Sequence, residues 1–461
     1  MADEFAAKGK RLNQAVFGMA PYTLRRTDVN EAVSRAKSLR KEPILDARLG
    51  DPTVFGLSTY KGFTQAVSES FKDPRAWRYD HACGLPELRE ILARGNVEFN
   101  RNGYGVHPDR VFIGPGISGV ARSLFTALIN HQDGDELAIP EWSYIIYFAE
   151  AALSRAKVVN VRLKDDGQVD IDHLDHCINE RTKAVFLTTV GNPLGIAMRE
   201  DVFVDIAKLI NRKEREFNHA VYLFADTIYE GFRDGESLDP ISLSIKAERI
   251  GPTIELHSIS KMISAPGARL GWIRVFHQGG DFKDEVDAFV EALARLFQPG
   301  LGSVPTAFQM ALLKIYQGLT KPEERAAFDA FRKERRTDAI WRVRSLMESL
   351  GKFDGIVFPR FCNNKDGTIN KNSINSFYLL VGVDQKIRPR NSEMSMAREL
   401  AEFSIDQINS PVLLTTPGDC FLASELRGSG QEYFRVVSLF DHYGAALAGE
   451  VIRKFTESRK R

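Results

Sequence analysis

From about residue 86 the chain alternates segments of helical periodicity with short apolar and β-branched runs at 110–114, 136–140, 157–163, 184–190, 220–225 and 253–257. Several of these runs are apolar throughout, as strands are when helices cover both faces of their sheet. The alternation predicts an α/β fold with a mostly parallel sheet. Polar residues collect just past the ends of these runs: Gly116 and Ser118, Trp142, Asn192, Asp226, then Ser258 and Lys261. Open α/β sheets bind ligands at the carboxyl ends of their strands, so these positions are expected to share one crevice.

After residue 320 the pattern changes. Thr320 followed by Pro322 and Glu323 predicts an N-cap with a capping box, and Phe328, Phe331, Ile340, Val343, Met347 and Leu350 then recur at helical spacing. Residues 378–383 and 433–440 read as strands, and 359–376 as an Asn-rich loop. Residues 1–60 hold too little regular pattern to fold alone and are expected to pack on the C-terminal lobe. Two lobes follow: a large domain over 61–319, and a smaller one from 1–60 and 320–461.

Composition narrows the function. The 461 residues carry 62 Lys and Arg against 61 Asp and Glu, a net charge of +1, so no basic field favours nucleic acid or anionic lipid. The KERR run at 333–336 reads as a solvated helix face. Cys83, Cys177, Cys362 and Cys420 form no C-x-x-C pair, which points to reduced thiols and a cytoplasmic setting. The N-terminus lacks a secretory layout, and no apolar run approaches the roughly 18 residues of a membrane span. Small-molecule chemistry is the expectation.

Three segments invite chemical readings. Gly114–Gly119 satisfies G-x-G-x-x-G after a strand, but the acid that a dinucleotide site places about 20 residues on would be Glu141, wedged between Pro140 and Trp142. A tight turn is the commoner role, and free N–H groups opening a helix there make an anion site on either reading. Asp172-His173-Leu174-Asp175-His176-Cys177 looks like a metal cluster, yet Ile171, Leu174 and Ile178 also make it a surface helix, the favoured reading. The third segment runs from His257 to Trp272. Lys261 stands among Ser258 and Ser260, with a Pro-Gly turn and Arg269 following. Such a lysine can form an imine with an aldehyde cofactor, while the serines and the arginine fork suit that cofactor's phosphate. The plain alternative is a surface lysine beside a structural salt bridge.

The pattern S-x-S-K-x-x-x-x-P-G-x-R-x-G-W at 258–272 resembles the cofactor-lysine segment of the class I/II aminotransferases, and the resemblance continues in order from about 43 to 440. Leu49–Thr53 resembles the family's N-terminal glycine strand, and Tyr79 with Gly84–Arg89 its Y…G…LR segment. Gly116-Ile117-Ser118 resembles its phosphate turn, Pro140-Glu141-Trp142 its ring-stacking segment, Asn192–Gly195 its NPTG, Asp226–Tyr229 its D-x-x-Y, and Phe434-Arg435-Val436 its substrate-carboxylate strand. Leu194 departs from the family's Thr.

The resemblance implies a fold type I transferase that binds pyridoxal 5'-phosphate and acts on an amino acid and a 2-oxo acid as a homodimer. Lys261 would carry the cofactor and shuttle the proton, and Asp226 would hold the ring nitrogen. Asn192 and Tyr229 would bind the ring oxygen, and Trp142 would stack on the ring. Gly116, Ile117, Ser118, Ser258, Ser260 and Arg269 would hold the phosphate, with Tyr79 reaching over from the neighbouring subunit. Gly50, Asn192 and Arg435 would bind substrate. Arg435 lies on a strand that is otherwise apolar but for Ser438, where a cation needs an anionic partner: the substrate carboxylate or a structural acid. The rivals are a lyase or carbon–carbon bond-forming enzyme on this scaffold, of the S-adenosylmethionine-using aminocyclopropane-carboxylate-synthase kind, a dinucleotide oxidoreductase, and a regulator with an aminotransferase-like sensor.

Overall fold

A computed structural model describes residues 29–459, apart from 96, 100–104, 131, 302, 352, 364–369, 371–372, 385–393, 423–432 and 439. Residues 1–28 and, within the Asn-rich loop, 364–369 and 371–372 therefore lie outside the described residues. The chain enters through a helix, Asn30–Ser38, and a short strand, β1 (Ile44–Asp46). The large sheet follows: β2 (Val111–Gly114), β3 (Glu136–Pro140), β4 (Lys157–Val161), β5 (Thr182–Thr188), β6 (Tyr222–Asp226), β7 (Thr253–Ser258) and β8 (Gly271–Phe276). Their order is β2-β8-β7-β6-β5-β3-β4, with β8 antiparallel to both neighbours and the other pairs parallel.

Six of these strands coincide with the apolar runs, each within a few residues. β8 does not, because Arg274 interrupts its apolar run. The charge is tolerated because Glu255 sits opposite on β7 and accepts from the buried guanidinium. The continuous apolar runs have their expected cause. On β6, Tyr222 and Phe224 enter the core shared with the helices Gly116–Leu128, Ile145–Ser154 and Lys283–Leu301, while Leu223 and Ala225 enter the opposite core with Glu200–Phe217 and Pro240–Lys246.

A long helix, Pro322–Leu350, leads out of this layer, and Phe328, Ile340, Val343, Met347 and Leu350 are all buried on it. Its start differs from the expected capping box. Pro322 occupies the first turn, Lys321 is the cap residue without a side-chain cap, and the Thr320 hydroxyl donates back to the Gln317 carbonyl at 2.7 Å. Beyond it, β9 (Ile356–Val357), β10 (Tyr378–Val383), β12 (Thr416–Pro417) and β13 (Tyr433–Val437) form an antiparallel sheet in the order β12-β13-β10-β9. Between them, β11 (Val412–Leu414) pairs in parallel with β1, Ile44 opposite Val412. Among the described residues no helix is long and apolar enough to cross a membrane.

Candidate active site

Local sequence sets the lysine. Ser258 ends β7 in extended backbone, and its Oγ accepts from the Ser260 N–H at 3.1 Å, capping the short helix Ile259–Met262. That hydroxyl also donates to the Leu270 carbonyl at 2.9 Å, so Ser258 braces the turn from beneath and is fully buried. Lys261, one residue past Ser260, projects into a cavity of about 300 Å³ at the carboxyl ends of the strands, where its Nζ donates to the Gly50 carbonyl. Gly50, Ile117, Ser118, Asn192, Asp226, Tyr229, Ser260, Arg269 and Arg435 line the same cavity.

One wall is built for an anion. Gly116 opens the helix Gly116–Leu128 at φ 73°, and an added Cβ there would stand 2.9 Å from Nη2 of Arg269. Glycine thus lets the guanidinium approach the helix N-terminus, where Nη2 donates to the Pro115 carbonyl at 3.0 Å. Ile117, Ser118 and Ser260 complete this wall. Gly119 has a packing role, since a Cβ would lie 2.3 Å from the Pro115 ring. The Glu141 carboxylate accepts from the Leu163 N–H at 3.0 Å, which leaves the G-x-G-x-x-G turn without the ribose acid of a dinucleotide site.

Asp226, at the end of β6, is buried and accepts from the Tyr147 hydroxyl at 2.5 Å and the Ile228 N–H at 3.0 Å. Burial pushes its carboxyl above the ordinary value by more than these two donors pull it down. A cation placed beside it would reverse that balance. Opposite, Arg435 on β13 donates to Asn192 Oδ1 at 2.9 Å, to the Arg48 carbonyl at 2.5 Å and to Thr416 Oγ1 at 3.3 Å. Its guanidinium carbon lies 4.7 Å from the Tyr378 ring centroid and 4.8 Å from that of Phe421, a sandwich that fixes the fork's plane. Asn192 also donates to the Tyr229 hydroxyl at 3.4 Å, which shares a 2.6 Å hydrogen bond with the Tyr378 hydroxyl. Burial holds the Tyr229 phenol well above its ordinary value, so it stays protonated.

Two sequence candidates stand apart. Trp142, expected to stack on a ring, lies outside this cavity: it adopts φ 61°, lines a smaller neighbouring hollow, and packs edge-on against Tyr433 with centroids 5.6 Å apart. Tyr144, two residues on and capping the helix Ile145–Ser154, lines the main cavity in its place. Tyr79 is 94% exposed and lies outside the cavity of its own chain. The residues that motif reading passed over are aromatic: Tyr144, Tyr147, Tyr378 and Phe421. The three-residue step from Tyr144 to Tyr147 was the available signal. The Asp172–Cys177 segment forms the helix Ile171–Cys177, and among the described residues no group of three or more His, Cys, Asp or Glu could hold a metal.

The arrangement therefore offers two cations, Arg269 and Arg435, with an amine and a buried carboxylate lining the same cavity. The model of the aminotransferase class I and II family matches residues 51–430. An asparagine–oxo-acid transaminase of Streptococcus mutans is 27% identical over 250 residues, 52% of this chain and 58% of that protein. A tyrosine aminotransferase of Dictyostelium discoideum is 28% identical over 262 residues, 55% and 58% of the two chains. The chain thus spans less than two thirds of the length of these curated relatives. In fold it matches the alanine aminotransferase of Pyrococcus furiosus at TM-score 0.76 and 22% identity, covering 94% of this chain and 96% of that one. With the family's pattern running through most of its length, this chain belongs to the class I and II aminotransferases.

Proposed function

We propose that the protein is an aminotransferase that moves an amino group between an L-amino acid and a 2-oxo acid. The observation that carries this reading is that Lys261, Asp226, Arg269 and Arg435 line one cavity. The family depends in general on pyridoxal 5'-phosphate. The residues present fit that group: Gly116, Ile117, Ser118, Ser260 and Arg269 suit its phosphate, Asp226 its ring nitrogen, Asn192 and Tyr229 its ring oxygen, and Lys261 its aldehyde, while Ser258, buried beneath the turn, supports that wall without facing the cavity. Tyr144 is the aromatic residue we assign beside the ring. Bound there, pyridoxal phosphate supplies an electron sink for a carbanion at the substrate Cα.

The chain's own groups do the rest. Arg435, held flat between two rings, receives the α-carboxylate through paired charge-assisted hydrogen bonds, with Asn192 and Gly50 beside it. That grip decides which bond at Cα is presented to Lys261. The Lys261 amine then takes the Cα proton and would return it at the cofactor's former aldehyde carbon, across the amino nitrogen from Cα. We assign residues 61–319 to the large cofactor domain and 1–60 with 320–461 to the smaller one. We further propose a homodimer, supported by Tyr79 and by Trp77, which is 72% exposed beside it, and a cytoplasmic setting, supported by four buried cysteine thiols.

The purified protein is expected to absorb in the visible, and borohydride to fix the cofactor on the peptide containing Lys261. An amino acid added without acceptor should yield one equivalent of 2-oxo acid per site. A label on another lysine refutes the assignment. Many turnovers with loss of a β or γ substituent would mark a lyase instead.

A further inference from the structure

One buried titratable residue near the site has no part in the chemistry above. His257 precedes Ser258 on β7 and is 0% exposed. Its Nε2 lies 2.9 Å from Oε1 of Glu98, which is also fully buried. Its Nδ1 lies 2.9 Å from the Thr227 hydroxyl oxygen and 3.1 Å from the Thr227 carbonyl. The Thr227 hydroxyl also lies 2.9 Å from the Leu256 carbonyl, and the Thr227 carbonyl beside Nδ1 can only accept.

Both ring nitrogens therefore face acceptors. A neutral imidazole with its proton on Nδ1 turns the Nε2 lone pair toward the Glu98 carboxylate 2.9 Å away, both of them buried. With its proton on Nε2, it leaves Nδ1 facing the Thr227 carbonyl, which can only accept. Only the imidazolium donates on both sides. The surroundings are dry and aromatic, with the Trp272 and Phe99 ring centroids 5.1 and 6.0 Å from that of His257, so charges here act over a low local dielectric. Burial works against the imidazolium, but the carboxylates of Glu98, Glu255 and Asp226 together outweigh it and His257 ends above its ordinary value.

The other charged groups around the pair are accounted for. Glu255 is matched by Arg274 on β8, and Arg332 lies on the Glu98 side, where it donates to the Glu98 carbonyl. Asp226 is different: it pairs across the sheet with Leu256, the residue before His257, and its donors Tyr147 and Ile228 are neutral.

We propose that Glu98 and His257 form a buried ion pair whose cationic end acts on Asp226 and keeps that carboxylate ionised for a ring nitrogen, making His257 a positioning residue. The inference rests on the cofactor reading given above. Nitrogen-15 NMR of the cofactor-free full chain, assigned with His257→Gln, should show both His257 nitrogens protonated at neutral pH, and one in Glu98→Gln. The same proteins are then titrated with pyridoxal phosphate and with its 1-deaza analogue, which carries C–H in place of the ring nitrogen. Glu98→Gln and His257→Gln should each weaken pyridoxal phosphate binding about tenfold, the differential interaction worth one pKa unit, and leave the analogue's affinity unchanged. Should His257→Gln fail to fold, the isosteric Glu98→Gln carries the test. A singly protonated His257 in the unaltered chain overturns the proposal. Equal weakening for both ligands also overturns it, marking the pair as packing alone. If the unaltered chain binds neither ligand, the cofactor reading falls and the inference with it, whatever the NMR shows for the ring.

Discussion

Tyr147→Phe removes one hydroxyl and keeps the ring that packs at 5.3 Å against Phe186, so it isolates the 2.5 Å hydrogen bond to Asp226. A hydrogen bond to a charged group contributes about 1.5–3 kcal/mol, which corresponds to roughly 10- to 150-fold in an equilibrium or a rate. The Ile228 N–H remains on the other carboxylate oxygen, so the lower end of that range is expected for cofactor affinity and for kcat. Stability gives a second readout with a definite sign. The folded chain holds the Asp226 carboxyl above its ordinary value of 3.8, so folding favours the protonated form. The resulting stabilisation is present below that ordinary value and is lost as pH rises through the raised one. Loss of Tyr147 removes a pull downward and widens the window. In thermal melts of cofactor-free protein, the variant's deficit should be small in acid and grow toward neutral pH. A deficit independent of pH, together with unchanged cofactor affinity, would refute the reasoning and leave Tyr147 a packing residue.

Arg435→Lys keeps the charge but loses the fork and the two-ring sandwich, so KM for amino acids should rise about tenfold or more with a smaller loss of cofactor affinity; an unchanged KM with a lower Tm would point to a structural role. Gly50→Ala puts a Cβ 2.1 Å from the Tyr378 hydroxyl, which is bound to Tyr229, and should cost about 1–3 kcal/mol of stability while shifting both phenols; a melt like that of the unaltered chain would show that Tyr378 yields freely. For the cross-subunit role of Tyr79, Tyr79→Phe protein is mixed with a Lys261→Ala partner. The cofactor-binding defect should fall on the site opposite the altered tyrosine, and a defect that follows the altered chain itself contradicts the dimer reading.

What the order of residues determined alone is the part governed by period and by local geometry. Short apolar and β-branched runs marked six strands of the large sheet, several of them apolar throughout because a strand covered on both faces has no polar side to show. The Lys261 and Arg269 spacing marked an amine and a fork, because a turn of fixed length sets their relation, whereas Ser258, read as a phosphate hydroxyl, proves to be the cap of that turn. Asp226 and Asn192 were readable for the same reason: each follows a strand end, and strand ends in such a sheet converge.

Tertiary structure decided everything that depends on what stands opposite. β8 was hidden because Arg274 is acceptable only across from Glu255, a pairing between strands that a single run cannot display. Trp142 and Tyr144 are two residues apart, and their exchange of place turns on the left-handed backbone at Trp142 and on Glu141 tying back to Leu163. Tyr378 and Phe421 come from segments more than 150 residues after Asn192 and gain their meaning from Arg435 lying between them. Glu98 is as remote from His257, and no local pattern joins them. The protonation inferred for that histidine depends on acceptors at both nitrogens, which only the packed chain assembles.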